Sequence, residues 1–314
     1  MELTHYEKEL IERGYDQNKV IELSSYDMDY VYKVRDFVVE TLTKGCTKDE
    51  TPIAMYIGGQ PGTGKSVKLR EIKNSWKDNN VICIIGLDNY RIYHPNYKEI
   101  EDVINEKWTG KEETIDSSKG NDMAAFTSDF ASIVTDLIID KITDHKYNLA
   151  IEWGMRSPLV PLETMEKLHN KGYKNIVKFI VVDKETSKEA CTLRDNIMNK
   201  HDIILRRIPN YFHEDAINSL PYSSEQIYIE GFLNKKIIDE FSLIDRDNNI
   251  LWDSNSDKKL TDTYTYYLNN KVKDYKNNPE YADMSFKEET KKEWSSIPFF
   301  IYSFTLWSVR ISTC

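Results

Sequence analysis

The stretch Gly58-Gly59-Gln60-Pro61-Gly62-Thr63-Gly64-Lys65-Ser66 constrains this chain most, because from Gly59 to Ser66 it fits G-x-x-x-x-G-K-[ST]. That pattern describes a loop whose backbone N–H groups wrap phosphate oxygens. Its lysine neutralises the β- and γ-phosphates and its hydroxyl ligates Mg²⁺. Glycines let the backbone turn tightly and expose its donors without a Cβ in the way. The context is the one the motif needs. Ile53-Ala54-Met55-Tyr56-Ile57 before it reads as a short buried strand, and Val67 to Trp76 after it carries apolar residues at helical spacing. A helix that begins at the loop turns its N-terminal donors and dipole toward the anion. Gly59, Gln60, Pro61, Gly62, Thr63, Gly64, Lys65, Ser66 and Val67 are therefore the expected nucleotide contacts.

The same alternation continues along the 314 residues. Val81 to Leu87 is a continuous apolar run, as expected of a parallel strand covered on both faces. A helix is expected over residues 123–145, a short strand at Leu149-Ala150-Ile151, a helix over 158–171 stopped at Gly172, and a strand over 176–182. Strands alternating with helices imply an α/β fold with a P-loop NTPase-type parallel β-sheet flanked by helices. A helical N-terminal extension over residues 1–50 places Tyr30, Val31, Val34, Phe37, Val38 and Leu42 at helical spacing. The kinase-like domain spans 51–254, becomes mostly helical after 200, and ends in a hairpin, Leu243–Arg246 with Ile250–Trp252. Residues 255–314 read as a charged, solvated helix with a linker and an apolar tail, Ile297–Trp307, which is too short to span a bilayer.

Composition narrows the class. Asp and Glu outnumber Lys and Arg by 52 to 42, a net charge of −10, which gives no support to a non-specific nucleic-acid binder or a membrane-surface protein. Cys46, Cys83, Cys191 and Cys314 form no C-x-x-C pair, and the first residues are too polar for a signal peptide. The expectation is a reduced, cytoplasmic chain with no structural metal.

Open α/β sheets place ligands beyond the carboxyl ends of their strands. The second strand end offers Asp88, and the third offers Glu152 followed by Trp153-Gly154-Met155-Arg156. Asp88 is placed either to deprotonate an acceptor hydroxyl or to cap the next helix. Glu152 could bind substrate hydroxyls, hold a Mg²⁺-bound water, or pair with Arg156. The helical region beyond carries Arg194, Arg206 and Arg207, which as a lid over the loop would stabilise transition-state charge.

These residues resemble the zeta-toxin family of toxin–antitoxin systems, whose members are P-loop kinases that phosphorylate the 3′-hydroxyl of the sugar in UDP-N-acetylglucosamine. The loop Gly58–Ser66 is similar to the family's GGQPGSGKT. Asp88 followed by His94-Pro95-Asn96-Tyr97 resembles D…HPNF, and Tyr147–Glu152 with Arg156 resembles YNLVIEGTGR. Arg194, then Arg206, Pro209 and His213, looks like the lid helix. The resemblance covers residues 50–255 or so. It implies that Lys65 holds the β- and γ-phosphates of ATP or GTP and that Ser66 holds Mg²⁺. Asp88 would be the base, Arg194 and Arg206 would clamp the γ-phosphate, and His94, Glu152 and Arg156 would contact the nucleotide sugar. It also implies a cognate antitoxin protein as partner, and toxicity through a blocked cell-wall precursor.

Three departures stand out. Gly86 replaces an acidic residue two before the base, Trp153-Gly154-Met155-Arg156 lacks the family's threonine, and the N-terminal extension is longer, a candidate inhibitory segment. A hydroxyl lost from a polar pocket changes discrimination by orders of magnitude. Two other readings therefore remain: a kinase for another hydroxyl, such as an antibiotic or a dinucleotide, and a nucleotide-binding regulator without transfer.

Overall fold

The computed structural model describes residues 2–75, 81–86, 89–111, 118–200 and 210–275. Residues 1–275 form one compact unit. The apolar tail lies outside the described residues.

The N-terminal region is three capped helices: α1 (His5–Glu12), α2 (Gln17–Ser24) and α3 (Met28–Thr43). Thr4 and Glu7 form a reciprocal capping box on α1, and Asp16 and Asp27 cap the next two. Val31, Val34 and Val38 are buried, so the helical spacing read from the sequence does mark the inward face.

The core follows as β1 (Ile53–Gly59), α4 (Lys65–Ser75), β2 (Ile82–Ile85), α5 (Tyr97–Lys107), α6 (Lys119–Asp144), β3 (Leu149–Glu152), α7 (Leu159–Asn170) and β4 (Lys174–Ile180). Then come α8 (Lys184–Lys200), α9 (Asn210–Ile227), a π-helical turn over Tyr228–Asn234, β5 (Glu240–Ile244), β6 (Ile250–Asp253) and α10 (Leu260–Asn269). The six strands make one sheet in the order β2-β3-β1-β4-β5-β6. β1 to β5 are parallel, and β6 closes the edge antiparallel to β5.

The loop-bearing strand lies at the centre, flanked on both sides, which is why it reads as an uninterrupted apolar run. On one face Met55 and Ile57 pack against Leu69 of α4 with Ala150, Ile180 and Ile244. On the other, the fully buried Tyr56 donates to Asn175 Oδ1 at 3.2 Å.

The expected hairpin is present as β5 and β6, and its first arm, β5, is also the fifth parallel strand, paired along β4 from Ile176 to Ile180. The expected solvated helix is α10, which buries Leu260, Tyr264 and Leu268. Its aromatic residues, spaced over the polar stretch, supply the apolar face that the scarcity of aliphatics conceals: the Tyr264 ring lies 6.2 Å from that of Phe179.

Candidate active site at the Gly59–Ser66 loop

β1 ends in two glycines and the chain then turns hard against its neighbours. Gly59 has φ +137°, and a Cβ there would stand 2.3 Å from the Ile180 carbonyl. Gly62 has φ +78°, and a Cβ there would stand 2.4 Å from the Ser187 carbonyl. Both positions need the left-handed region and have no room for a side chain.

The rest of the loop is tied outward. Gln60 is fully buried and its Nε2 donates to the Val182 carbonyl at 2.6 Å. Thr63 Oγ1 donates to the Gln60 carbonyl at 3.0 Å. Ser187 Oγ donates to the Pro61 carbonyl at 2.7 Å, so its 2.7 Å contact with His213 Nε2 makes the imidazole the donor. Arg246, at the end of β5, donates from Nη2 to the Gly62 carbonyl at 2.6 Å and from Nε to Thr63 at 3.1 Å. Ser187 of α8 and Arg246 beyond β5 thus hold the loop's carbonyls, and His213 of α9 holds Ser187 in turn.

Four of the sequence-derived residues come together inside this frame. Lys65 arches back, its Nζ donating to the carbonyls of Gly59 at 2.9 Å and Gln60 at 3.1 Å. Ser66 Oγ donates to Glu152 Oε2 at 2.8 Å, across the β1–β3 pairing. Arg194 reaches in from α8, with Nε and Nη2 buried and without a hydrogen-bond partner. Burial pushes the Lys65 ammonium below its ordinary pKa, Glu152 opposes that shift, and Arg194 adds to it. Two adjoining cations, one with orphaned buried donors, make a place that favours an anion.

The others fall elsewhere. Arg156 pairs with Asp215 of α9 at 2.5 Å, and the carboxylate of Glu152 receives Ser66. Trp153 donates its backbone N–H to the Ile57 carbonyl at 3.0 Å, and its ring stacks on Tyr56 at 6.4 Å and 11°. Met155 has φ +50° and its carbonyl accepts from Ser223 Oγ at 2.6 Å, which pins the turn that carries Arg156. His94 is not brought to the loop's cations. Its ring is buried edge-on against Phe130 at 5.1 Å and Tyr26 at 6.0 Å, and burial lowers its pKa to about 4. Asp88, Arg206, Arg207 and Pro209 lie outside the described residues.

Arg246 and Ser187 escaped the sequence reading. The one signal for Arg246 was its place at the carboxyl end of a strand, and that strand was not recognised as part of the parallel sheet. Ser187 gave none, since a serine in the first turn of a polar helix is unremarkable in sequence.

A family model described as Zeta toxin matches residues 38–257. The toxin PezT of Streptococcus pneumoniae serotype 4 is 27% identical over 219 residues, which is 69% of this chain and 77% of PezT. A toxin zeta of Streptococcus agalactiae is 28% identical over 197 residues; the alignment takes in 62% of this chain and 63% of that toxin's length. A solved chain from the PezAT chromosomal toxin–antitoxin system of Streptococcus pneumoniae superposes with a TM-score of 0.64 at 22% identity. That likeness, one of fold, covers 86% of this chain and 98% of the other.

Proposed function

The chain belongs to the zeta-toxin family, and we propose that it is a kinase moving the γ-phosphoryl group of ATP or GTP to a hydroxyl of a nucleotide sugar. The acceptor in this reading is the 3′-hydroxyl of the N-acetylglucosamine in UDP-N-acetylglucosamine, and toxicity follows from loss of that cell-wall precursor. The observation that carries the donor half is the pair Lys65 and Arg194, with buried guanidinium nitrogens that no protein group satisfies. A triphosphate would satisfy them.

Ser66 and Glu152 present a hydroxyl and a carboxylate 2.8 Å apart, hard oxygen donors of the kind that suit Mg²⁺. Ser66 would hold the ion directly and Glu152 through water, and the bound ion would neutralise charge on the β- and γ-phosphates. The acceptor oxygen attacks the γ-phosphorus, the bond to the bridging oxygen breaks, and the nucleoside diphosphate leaves with that electron pair. Asp88 takes the hydroxyl proton. Arg194, joined by Arg206, stabilises the charge that spreads over the transferring group. Glu152 and Arg156 border the acceptor. His94, buried against Tyr26 and Phe130, is given no substrate contact in this proposal.

The test is incubation with Mg²⁺, ATP and UDP-N-acetylglucosamine, followed by mass spectrometry; the expected product is the phosphorylated nucleotide sugar. Absence of product together with absence of ATP turnover would sink the reading for this acceptor. Asp88→Asn is expected to abolish transfer with ATP affinity nearly unchanged, and surviving activity would remove Asp88 as the base.

Trp153 favours a second reading of the acceptor. Beside Glu152 the chain lacks the family pattern's threonine and adds a bulky indole, which stacks on Tyr56. An antibiotic or dinucleotide hydroxyl is the alternative, separated by a substrate panel. A regulator that binds ATP without any phosphorylated product is the remaining one.

Among the described residues no helix is long and apolar enough to cross a membrane. A cytoplasmic location and a cognate antitoxin covering the loop complete the proposal. Addition of that antitoxin should weaken ATP binding, and an unchanged affinity would remove this mode of inhibition.

A further inference from the structure

The carboxyl ends of β4 and β5 carry a cleft that the reaction above leaves without a role. It measures about 290 Å³ and lies among Val182 and Asp183 after β4, Leu251 of β6, and Val272 and Tyr275 beyond α10. Its outer wall, Val272 to Tyr275, stands beyond the segment 38–257 that the family model matches.

The chemistry of the lining selects an occupant. Asp183 and Asp245 border the cleft against one cation, Lys273, which pairs with Asp247, so the balance of charge disfavours a phosphate there. Valine, leucine and tyrosine side chains supply apolar and aromatic surface, the surroundings of a flat neutral ring. The volume sits near the lower end of ligand pockets, roughly 300 Å³ and upward, which suits a base with part of its sugar.

Position selects it further. The Ser66–Glu152 contact puts the metal-binding oxygens on the β3 side of β1. The reacting end of a bound triphosphate belongs there, and the nucleoside is left to the opposite side, over β4 and β5. The cleft is one side chain from the loop on that side. Arg246 donates to the Gly62 and Thr63 carbonyls while its guanidinium carbon lies 5.5 Å over the Tyr275 ring.

We infer that this cleft holds the heterocyclic base of the donor nucleotide, with Tyr275 as its stacking face and Arg246 joining the base site to the phosphate loop. The inference rests on the donor reading above. It assigns to residues outside the matched segment a share in choosing the donor.

The experiment is calorimetric titration of the full chain with MgATP and, separately, with magnesium and inorganic tripolyphosphate, which carries the phosphates without a base. ATP should bind more tightly than tripolyphosphate. Tyr275→Ala should weaken ATP about tenfold, the scale of one base–aromatic stack, and leave tripolyphosphate within about twofold. Tyr275→Phe, which keeps the ring, should restore ATP binding. In the unmodified protein, photolysis with 8-azido-ATP should label the peptide carrying Val272 to Tyr275. Equal affinity of the wild type for ATP and tripolyphosphate, or labelling confined to other peptides, would overturn the base site and leave the phosphate site standing. Binding of neither ligand would overturn both.

Discussion

Lys65 and Arg194 show at the scale of single residues what the proposed phosphate site would cost its fold. Arg194 carries two buried nitrogens without a partner, and an unsatisfied buried donor costs about 1–3 kcal/mol. Arg194→Met should therefore raise stability by about 1 kcal/mol in urea unfolding while lowering turnover by roughly 10²–10³. A loss of stability would mean that the guanidinium has a structural partner after all. His94 makes the opposite kind of statement. Its pKa is depressed from 6.5 to about 4 by burial, so the unfolded chain binds more protons than the folded one between those values. Stability contributed by the neutral ring is full above pH 6.5 and falls as pH drops through the window toward 4. From pH 7 to pH 5 the loss should be about 2 kcal/mol from this residue. His94→Phe, which keeps a ring between Tyr26 and Phe130, should flatten that part of the stability–pH curve; an unchanged slope would show that another group titrates.

Among the elements, the loop and β4 depend on polar side chains that cross between layers. Asn175, fully buried in β4, donates from Nδ2 to the carbonyls of Met165 and Ile237, both at 2.7 Å, and accepts from Tyr56. One amide thereby ties α7, the segment after the π-helical turn, and β1 to a single strand. Asn175→Ala leaves two carbonyls and a hydroxyl without partners, and should cost about 2–4 kcal/mol in urea unfolding. A cost below about 1 kcal/mol would mean that water enters and replaces the amide. The loop uses the same device through Ser187 and Arg246, which reach it from α8 and from the end of β5. Motif spacing described the loop's own residues well, because glycine requirements and the lysine–serine pair are local. Its tethers were invisible, since they come from residues more than a hundred positions away.

At the scale of the whole molecule, the N-terminal helices belong to the same compact unit as the sheet. Asp122 of α6 is fully buried and accepts from Arg13 at 2.9 Å, Tyr15 at 2.6 Å and the Trp108 indole at 2.9 Å, with Lys107 at 3.3 Å. Asp122→Ala strips a buried carboxylate from two cations and should cost about 3–5 kcal/mol. Limited proteolysis should then cut first between α1 and α3. Equal protease resistance of variant and wild type would show that apolar packing of Leu10, Val20 and Leu23 suffices to hold these helices. The sequence by itself determined the parallel α/β class, the central strand, the tight glycine-rich loop after it and the inward faces of α3 and α6, because apolar periodicity and glycine stereochemistry act over neighbouring residues. It also brought Glu152 and Arg194 to notice. Only the tertiary structure decided that β5 joins the parallel sheet and that the polar stretch after residue 255 buries α10. It likewise settled that Glu152 receives Ser66 while Arg156 goes to Asp215, and that Arg246 grips the loop from behind. Those outcomes are choices among partners, and a side chain's partner is set by which strand ends the sheet order places side by side, a long-range property that local spacing does not encode.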